Sequence, residues 1–250
     1  FAAGLGGVKG TGRSVKPPQK KQPTVYAPEP HPLQTSKMTT TRNPIKTILN
    51  CSKGIVHPHF LARKSLNDLL QQIKKCEVFS VSSIAFRKLI SKHRPDLVIL
   101  YFHEKEIRPD DLMALEEYVS NGGSILAIHS ASASFKQEPT YHQLLGGRFI
   151  NHGAICEYSV QPNQYVKEHF CMLNYEFTVK DELYNHEYAS EVQVLLETKI
   201  DDKTEPIAWI KNHDQGKVAY FAPGHTPWVL RHPKIEAVIK QLIEWSFVNE

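Results

Sequence analysis

From Ile45 onward, apolar positions alternate between two periods. Ile45–Cys51 reads as a strand, and Phe60–Lys74 carries Leu61, Leu66, Leu69, Leu70 and Ile73 at helical spacing. Glu77–Val81 predicts a second strand, followed by a helix through Phe86, Leu89 and Ile90. Asp96–Phe102 is a continuous apolar run, the pattern of a strand covered on both faces. Pro109 opens a helix through Leu112, Leu115 and Val119, which Asn121-Gly122-Gly123 closes, and Ser124–Ile128 is the fourth strand. Strands alternating with helices predict a right-handed, parallel, doubly wound α/β sheet.

After a helix near Gln137–Leu145 the rhythm changes. Strand patterns separated by turns occupy Ile155–Val160, Glu176–Val179, Val192–Glu197, Pro206–Asn212 and Lys217–Phe221, and a final helix runs Pro233–Phe247. This half is read as β-rich, rejoining the main sheet through Val218–Phe221.

Residues 1–43 break the pattern: they are rich in Gly, Pro, Lys and Thr and poor in apolar side chains, so they read as a disordered extension before a single domain at 44–250. Met38 immediately precedes the regular pattern, which leaves residues 1–37 as a leader, a signal remnant or sequence upstream of a start at Met38. That segment holds six of the 30 basic residues and one of the 26 acidic ones, so the body is close to neutral despite a formal charge of +4. A basic nucleic-acid groove is not supported, and no apolar run reaches the roughly 20 residues of a membrane helix. Cys51, Cys76, Cys156 and Cys171 form no CxxC pair, and Cys51 and Cys76 lie in or beside apolar runs, which suits buried reduced thiols in a cytoplasmic protein. A homo-oligomer is left open by the sequence.

Histidines stand where the strands end. His57 and His59 follow the first strand, His103 and Glu104 the third, His129 the fourth, and His225 follows Lys217–Phe221 across a Pro-Gly turn. In a parallel sheet these loops open on one edge, where such folds place their ligands. His93, His142, His186, His213 and His232 fall in helices or polar turns and are expected to be solvated. There is no HExxH, so any divalent metal such as zinc would take ligands from separate loops, with His57, His129 and His225 as candidates. Ile128 and Ser132 occupy the glycine positions of a GxSxG elbow around Ser130, which argues against a serine nucleophile.

The segments GGSILAIHSASASF (122–135), YHQLLGGRFINH (141–152), FTVKDELYNHEY (177–188), PIAWI (206–210) and KVAYFAPGH (217–225) together resemble the ThuA-like (trehalose utilisation) family of the class I glutamine amidotransferase-like superfamily. The resemblance covers about Ile45 to Phe247 and implies a flavodoxin-like fold. In class I amidotransferases the elbow after a central strand carries a cysteine nucleophile; here it carries His129, and the residue two beyond His225 is Pro227, not glutamate. Without a thiol there is no thioester, so glutaminase chemistry is not expected. The resemblance implies a carbohydrate ligand, with Ser130 and His152 joining His57, His59, His103 and Glu104 in binding it. Tyr141, Trp209 and Trp228 offer faces for a sugar ring, and Glu157, Asp181 and Glu182 further polar partners. Two readings follow. One is a keto-sugar isomerase, lyase or hydrolase type of enzyme with His129 or His225 as general base; the other is a non-catalytic sugar-binding or accessory protein.

Overall fold

The computed structural model describes residues 46–53, 59–169, 176–200 and 203–248. The extension at 1–43 and the histidine at position 57 lie outside them. The first half is built as β1 (Lys46–Lys53), α1 (His59–Leu70), β2 (Cys76–Val81), α2 (Phe86–His93), β3 (Leu97–Phe102), α3 (Pro109–Ser120) and β4 (Ser124–Ile128). A 3-10 turn (His129–Ala133) leads to α4 (Pro139–Leu145), β5 (Gly147–His152), β6 (Cys156–Pro162) and α5 (Gln164–His169). Then come β7 (Phe177–Asp181), β8 (Tyr184–Tyr188), β9 (Gln193–Ile200), β10 (Lys203–His213), β11 (Gly216–Phe221), α6 (Pro227–Leu230) and α7 (Pro233–Phe247).

Nine strands form one sheet in the order β2-β1-β3-β4-β11-β10-β9-β6-β7, and β5 pairs with β8 in a separate ribbon. Pairings from β2 to β11 are parallel; those of β10 with β11 and β9, and of β6 with β9 and β7, are antiparallel. The late strand does rejoin the parallel half, because Val218 to Phe221 lie opposite Ile125 to Ile128.

The apolar runs are explained by two cores. Alternate residues of β3 point to opposite faces: Ile99 and Tyr101 pack under α1 and α7 with Leu66, Ile239 and Leu242, while Leu100 and Phe102 meet Phe86, Leu115 and Val119 of α2 and α3. Gly122, just past α3, has φ +98, the left-handed conformation that lets this helix turn into β4. Gly216 opens β11 where a Cβ would run into the carbonyls of Val119 and Gly123, so only glycine admits the strand there.

Several expectations need correction. His142 and His186 are buried, not solvated: α4 packs His142 inward, and β8 turns Tyr184 and His186 inward while its sequence remains polar. Tyr141 and Trp209 are fully buried, their polar atoms donating to the Ala131 and Leu145 carbonyls, so neither can present a face to a ligand. Trp228 is 74% exposed. Cys51 is buried and Cys76 half-buried, and both are free thiols. Among the described residues no helix is long and apolar enough to cross a membrane.

Candidate functional site

The site begins at the end of β4. Ile128 is extended, and His129 then takes φ +49, a left-handed conformation that costs a non-glycine residue about 1 kcal/mol. This reversal starts the 3-10 turn and leaves the imidazole on the carboxyl edge of the sheet, fully buried. Its Nδ1 lies 2.8 Å from the Ala222 carbonyl oxygen. A carbonyl can only accept, so Nδ1 carries the hydrogen and Nε2 presents its lone pair. Tyr184 reaches that atom with its hydroxyl at 3.1 Å, and the two rings lie 4.3 Å apart.

His225 arrives on the loop after β11. Asp181 Oδ2, at the end of β7, accepts from the backbone N–H groups of Gly224 (2.8 Å) and His225 (3.3 Å), and the Tyr101 hydroxyl donates to the Gly224 carbonyl at 2.8 Å. A Cβ on Gly224 would sit 3.1 Å from that of His129, so glycine allows this loop to close against the elbow. The two imidazoles end edge to face with centroids 5.6 Å apart.

Glu182, between β7 and β8, joins them. Its Oε2 lies 3.1 Å from His225 Nδ1 and 3.6 Å from His129 Nε2, and its Oε1 lies 3.8 Å from His152 Nε2. Oε2 is shut off from solvent and accepts no hydrogen bond of good geometry. Burial pushes the Glu182 carboxyl up, but His129, His225 and His152 outweigh it and hold it at about 2. His152 ends β5, its ring stacked on Tyr184 and its Nδ1 2.7 Å from the Gly153 carbonyl, so its Nε2 also presents a lone pair. Side-chain exposure rises from His129 (0%) through Glu182 (11%) and His225 (18%) to His152 (37%), which runs from the floor of the site to its mouth. One ligand atom from each of His129, Glu182 and His225 falls within 4.8 Å of the others, a spacing able to hold a metal ion.

The remaining expected residues divide. His103 is half-buried, its pKa pushed down by burial, then by Lys136 and, more weakly, by His129, so it shares the edge. Glu104 is engaged elsewhere: its carboxylate pairs with Lys53 at 3.2 Å, while its backbone N–H donates to Ser134 Oγ and its carbonyl accepts from Phe135. Ser130 Oγ is buried with no hydrogen-bond partner among the described residues. His59 opens α1. Ser132 and Ser134 are buried and bond to the turn itself, to His129 O and to Ser130 O. The sequence reading named Glu182 and Asp181 only as sugar partners and missed Tyr184 and Tyr101, whose roles depend on pairings that no local pattern displays.

Fold and site together define a flavodoxin-like α/β protein whose strand-end elbow bears a histidine facing a second histidine and a carboxylate. A family model, trehalose utilisation (ThuA), matches residues 47–246, and the chain belongs to that family. No curated protein matches it in sequence. Among solved structures it is similar to a protein described as ThuA-like from Parabacteroides merdae (TM-score 0.69, 17% identity, 82% of this chain and 90% of that one). A second, from Bacteroides uniformis, gives TM-score 0.67 at 16% identity over 84% of this chain and 95% of that one. A beta-galactosidase from Bacillus circulans sp. alkalophilus shares the fold at TM-score 0.57 and 16% identity, over 82% of this chain but only 31% of its own.

Proposed function

We propose that this protein binds a keto sugar of the trehalose and disaccharide type at the carboxyl edge of its sheet and transfers a proton at the carbon next to the carbonyl. Isomerisation or eliminative cleavage would follow. The observation that carries this reading is the convergence of three histidines of graded exposure on one carboxylate. Enolisation needs two functions: a base for the C–H proton and a positive or hydrogen-bonding group for the oxygen that gains charge. His152 supplies the first, since its Nε2 lone pair stands at the mouth with Nδ1 held by Gly153. His225 supplies the second, on the loop held by the Asp181–Tyr101 clamp and paired with Glu182, while Ala222 fixes His129 beside it. Trp228, three residues beyond His225 and exposed, offers the apolar face for the second ring of a disaccharide. Glutaminase chemistry has no thiol at the elbow to begin it.

The test is exchange of the carbon-bound proton into D2O, followed by NMR across a panel of 3-keto disaccharides. Exchange is expected for the parent and should fall sharply in His152→Ala and in His225→Ala, with sugar binding retained in the first. Exchange that survives both substitutions would overturn the assignment. Binding without any exchange in the parent would favour the accessory sugar-binding role.

A further inference from the structure

We propose that His129 Nε2, Glu182 and His225 Nδ1 are the protein ligands of a single divalent transition-metal ion, zinc or an ion of similar size and donor preference, with a further coordination position left for an oxygen of the ligand. The inference deepens the reading above by naming the electrophile, but it rests on geometry that would stand without any sugar.

The first support is orientation. The Ala222 carbonyl fixes the hydrogen of His129 on Nδ1, so in the neutral ring Nε2 is an acceptor, reached by the Tyr184 hydroxyl at 3.1 Å and standing 3.6 Å from Glu182 Oε2. The Tyr184 hydroxyl does not lessen the repulsion between this nitrogen and the carboxylate, which a positive ion shared by the two removes. A proton would draw them to about 2.7–3.2 Å. A tetrahedral ion with bonds of about 2.0–2.1 Å holds neighbouring ligand atoms about 3.3 Å apart. Two edges, 3.1 Å from Glu182 to His225 and 3.6 Å from Glu182 to His129, lie on either side of that spacing, and the third is within 4.8 Å.

The second support is the state of Glu182. A buried carboxylate oxygen without a hydrogen bond is costly, and Oε2 is one; a cation coordinated there removes the cost. The third is the shell behind the ligands. Metal-binding imidazoles donate their other N–H to a fixed acceptor, which Ala222 provides for His129, and the Asp181 carboxylate holds the backbone carrying His225. Two imidazoles and one carboxylate suit zinc and its first-row neighbours rather than calcium or magnesium, which prefer oxygen alone. Three protein ligands leave a position open, the pattern of catalytic rather than structural sites. A metal held there would polarise a carbonyl oxygen directly.

The experiment uses the full chain, stripped with a chelator and titrated with zinc and, separately, with cobalt(II) as a spectroscopic probe, in the absence of sugar. One equivalent is expected, with visible cobalt bands of tetrahedral or five-coordinate intensity. Glu182→Gln, nearly isosteric, and His225→Ala should weaken zinc binding by more than the roughly 10–100-fold that loss of an outer-shell partner costs. His152→Ala should retain one equivalent, and circular dichroism checks that each variant is folded. No retained zinc in the parent, or binding unchanged in both folded ligand variants, would overturn the inference and leave a shared proton between Glu182 and the imidazoles. Because metal is read without sugar and exchange without reference to metal, either reading can fail while the other stands.

Discussion

Lowering the pH should destabilise this fold chiefly through one histidine outside the site. His186 is buried, with Nε2 3.2 Å from Ser132 Oγ and 3.0 Å from the Tyr220 hydroxyl, and its ring lies edge-on to Trp209. Burial, with a smaller contribution from His129, pushes its pKa from 6.5 down to about 3. The folded value lies below the unfolded one, so as pH falls the unfolded chain takes up the proton first. Stability carried by the neutral ring is complete above pH 6.5 and drains away between 6.5 and about 3. Each pH unit inside that window removes about 1.4 kcal/mol, so a step from about pH 7 to about pH 5 costs about 2 kcal/mol. Urea unfolding at those two values, on the parent and on His186→Phe, isolates the contribution. The substitution lowers stability at both, but Ser132 and Tyr220 still bond each other and the His129 carbonyl, so the offset largely cancels. The parent should lose about 2 kcal/mol more than the variant over the step. His142 and His103, also pushed down by burial, act equally in both chains. Parallel losses in the two proteins would refute the reasoning, because they would mean that His186 accepts a proton without leaving the folded state.

Four further outcomes are expected. Trp209→Ala should cost about 3–5 kcal/mol of stability in chemical unfolding, because it empties a fully buried site; Trp228→Ala should leave stability within about 0.5 kcal/mol while weakening disaccharide binding in calorimetry. Gly216→Ala should destabilise by about 3 kcal/mol, since its new Cβ meets two backbone carbonyls rather than a movable side chain, and an unchanged melting temperature would contradict that approach. Tyr101→Phe strips the buried Gly224 carbonyl of its donor and should cost about 1–3 kcal/mol in chemical unfolding; if the clamp positions His225, proton exchange into the sugar should fall as well in the folded variant.

Much of this was legible in the chain. Leu97–Phe102 and Ser124–Ile128 are long apolar runs ended by glycine or polar clusters, and the pattern located β4 and α7 to the residue. His129 and His225 could be placed on one edge because parallel strands put their ends together, a property of topology that alternation alone reveals. The ribbon of β5 and β8 was invisible because its inward positions include His186 and its intervening ones Asn185 and Glu187, so period two is present without any contrast in polarity. The same loss of contrast made His142 and His186 look solvated. Helix α6, with four residues, is too short to display a period. Glu182 was named as a polar partner within the 177–188 segment, but its place between the two imidazoles depends on how β7 is brought back toward β4.

That return has a consequence for how the protein acquires its site. Between β4 and β7 the sheet interposes β11, β10, β9 and β6, and five flat inter-strand steps would span about 24 Å. Yet Glu182 and His129 meet at 3.6 Å, so the antiparallel half must curl round, and β6 joins β9 only at its end, through Gln161 and Pro162. The carboxylate and the two imidazoles are thus contributed by stretches some fifty and a hundred residues apart, as positions 129, 182 and 225 make plain. Contacts of such separation cost more loop-closure entropy than those inside the local βα units and are expected to form after them. An intermediate containing only β1 to β4 would already hold the elbow histidine, but it would lack the carboxylate and the second imidazole. Substitutions along β6, which carries none of the site's side chains, should therefore abolish the site before they unfold the chain, and recovery of the site should come late in refolding.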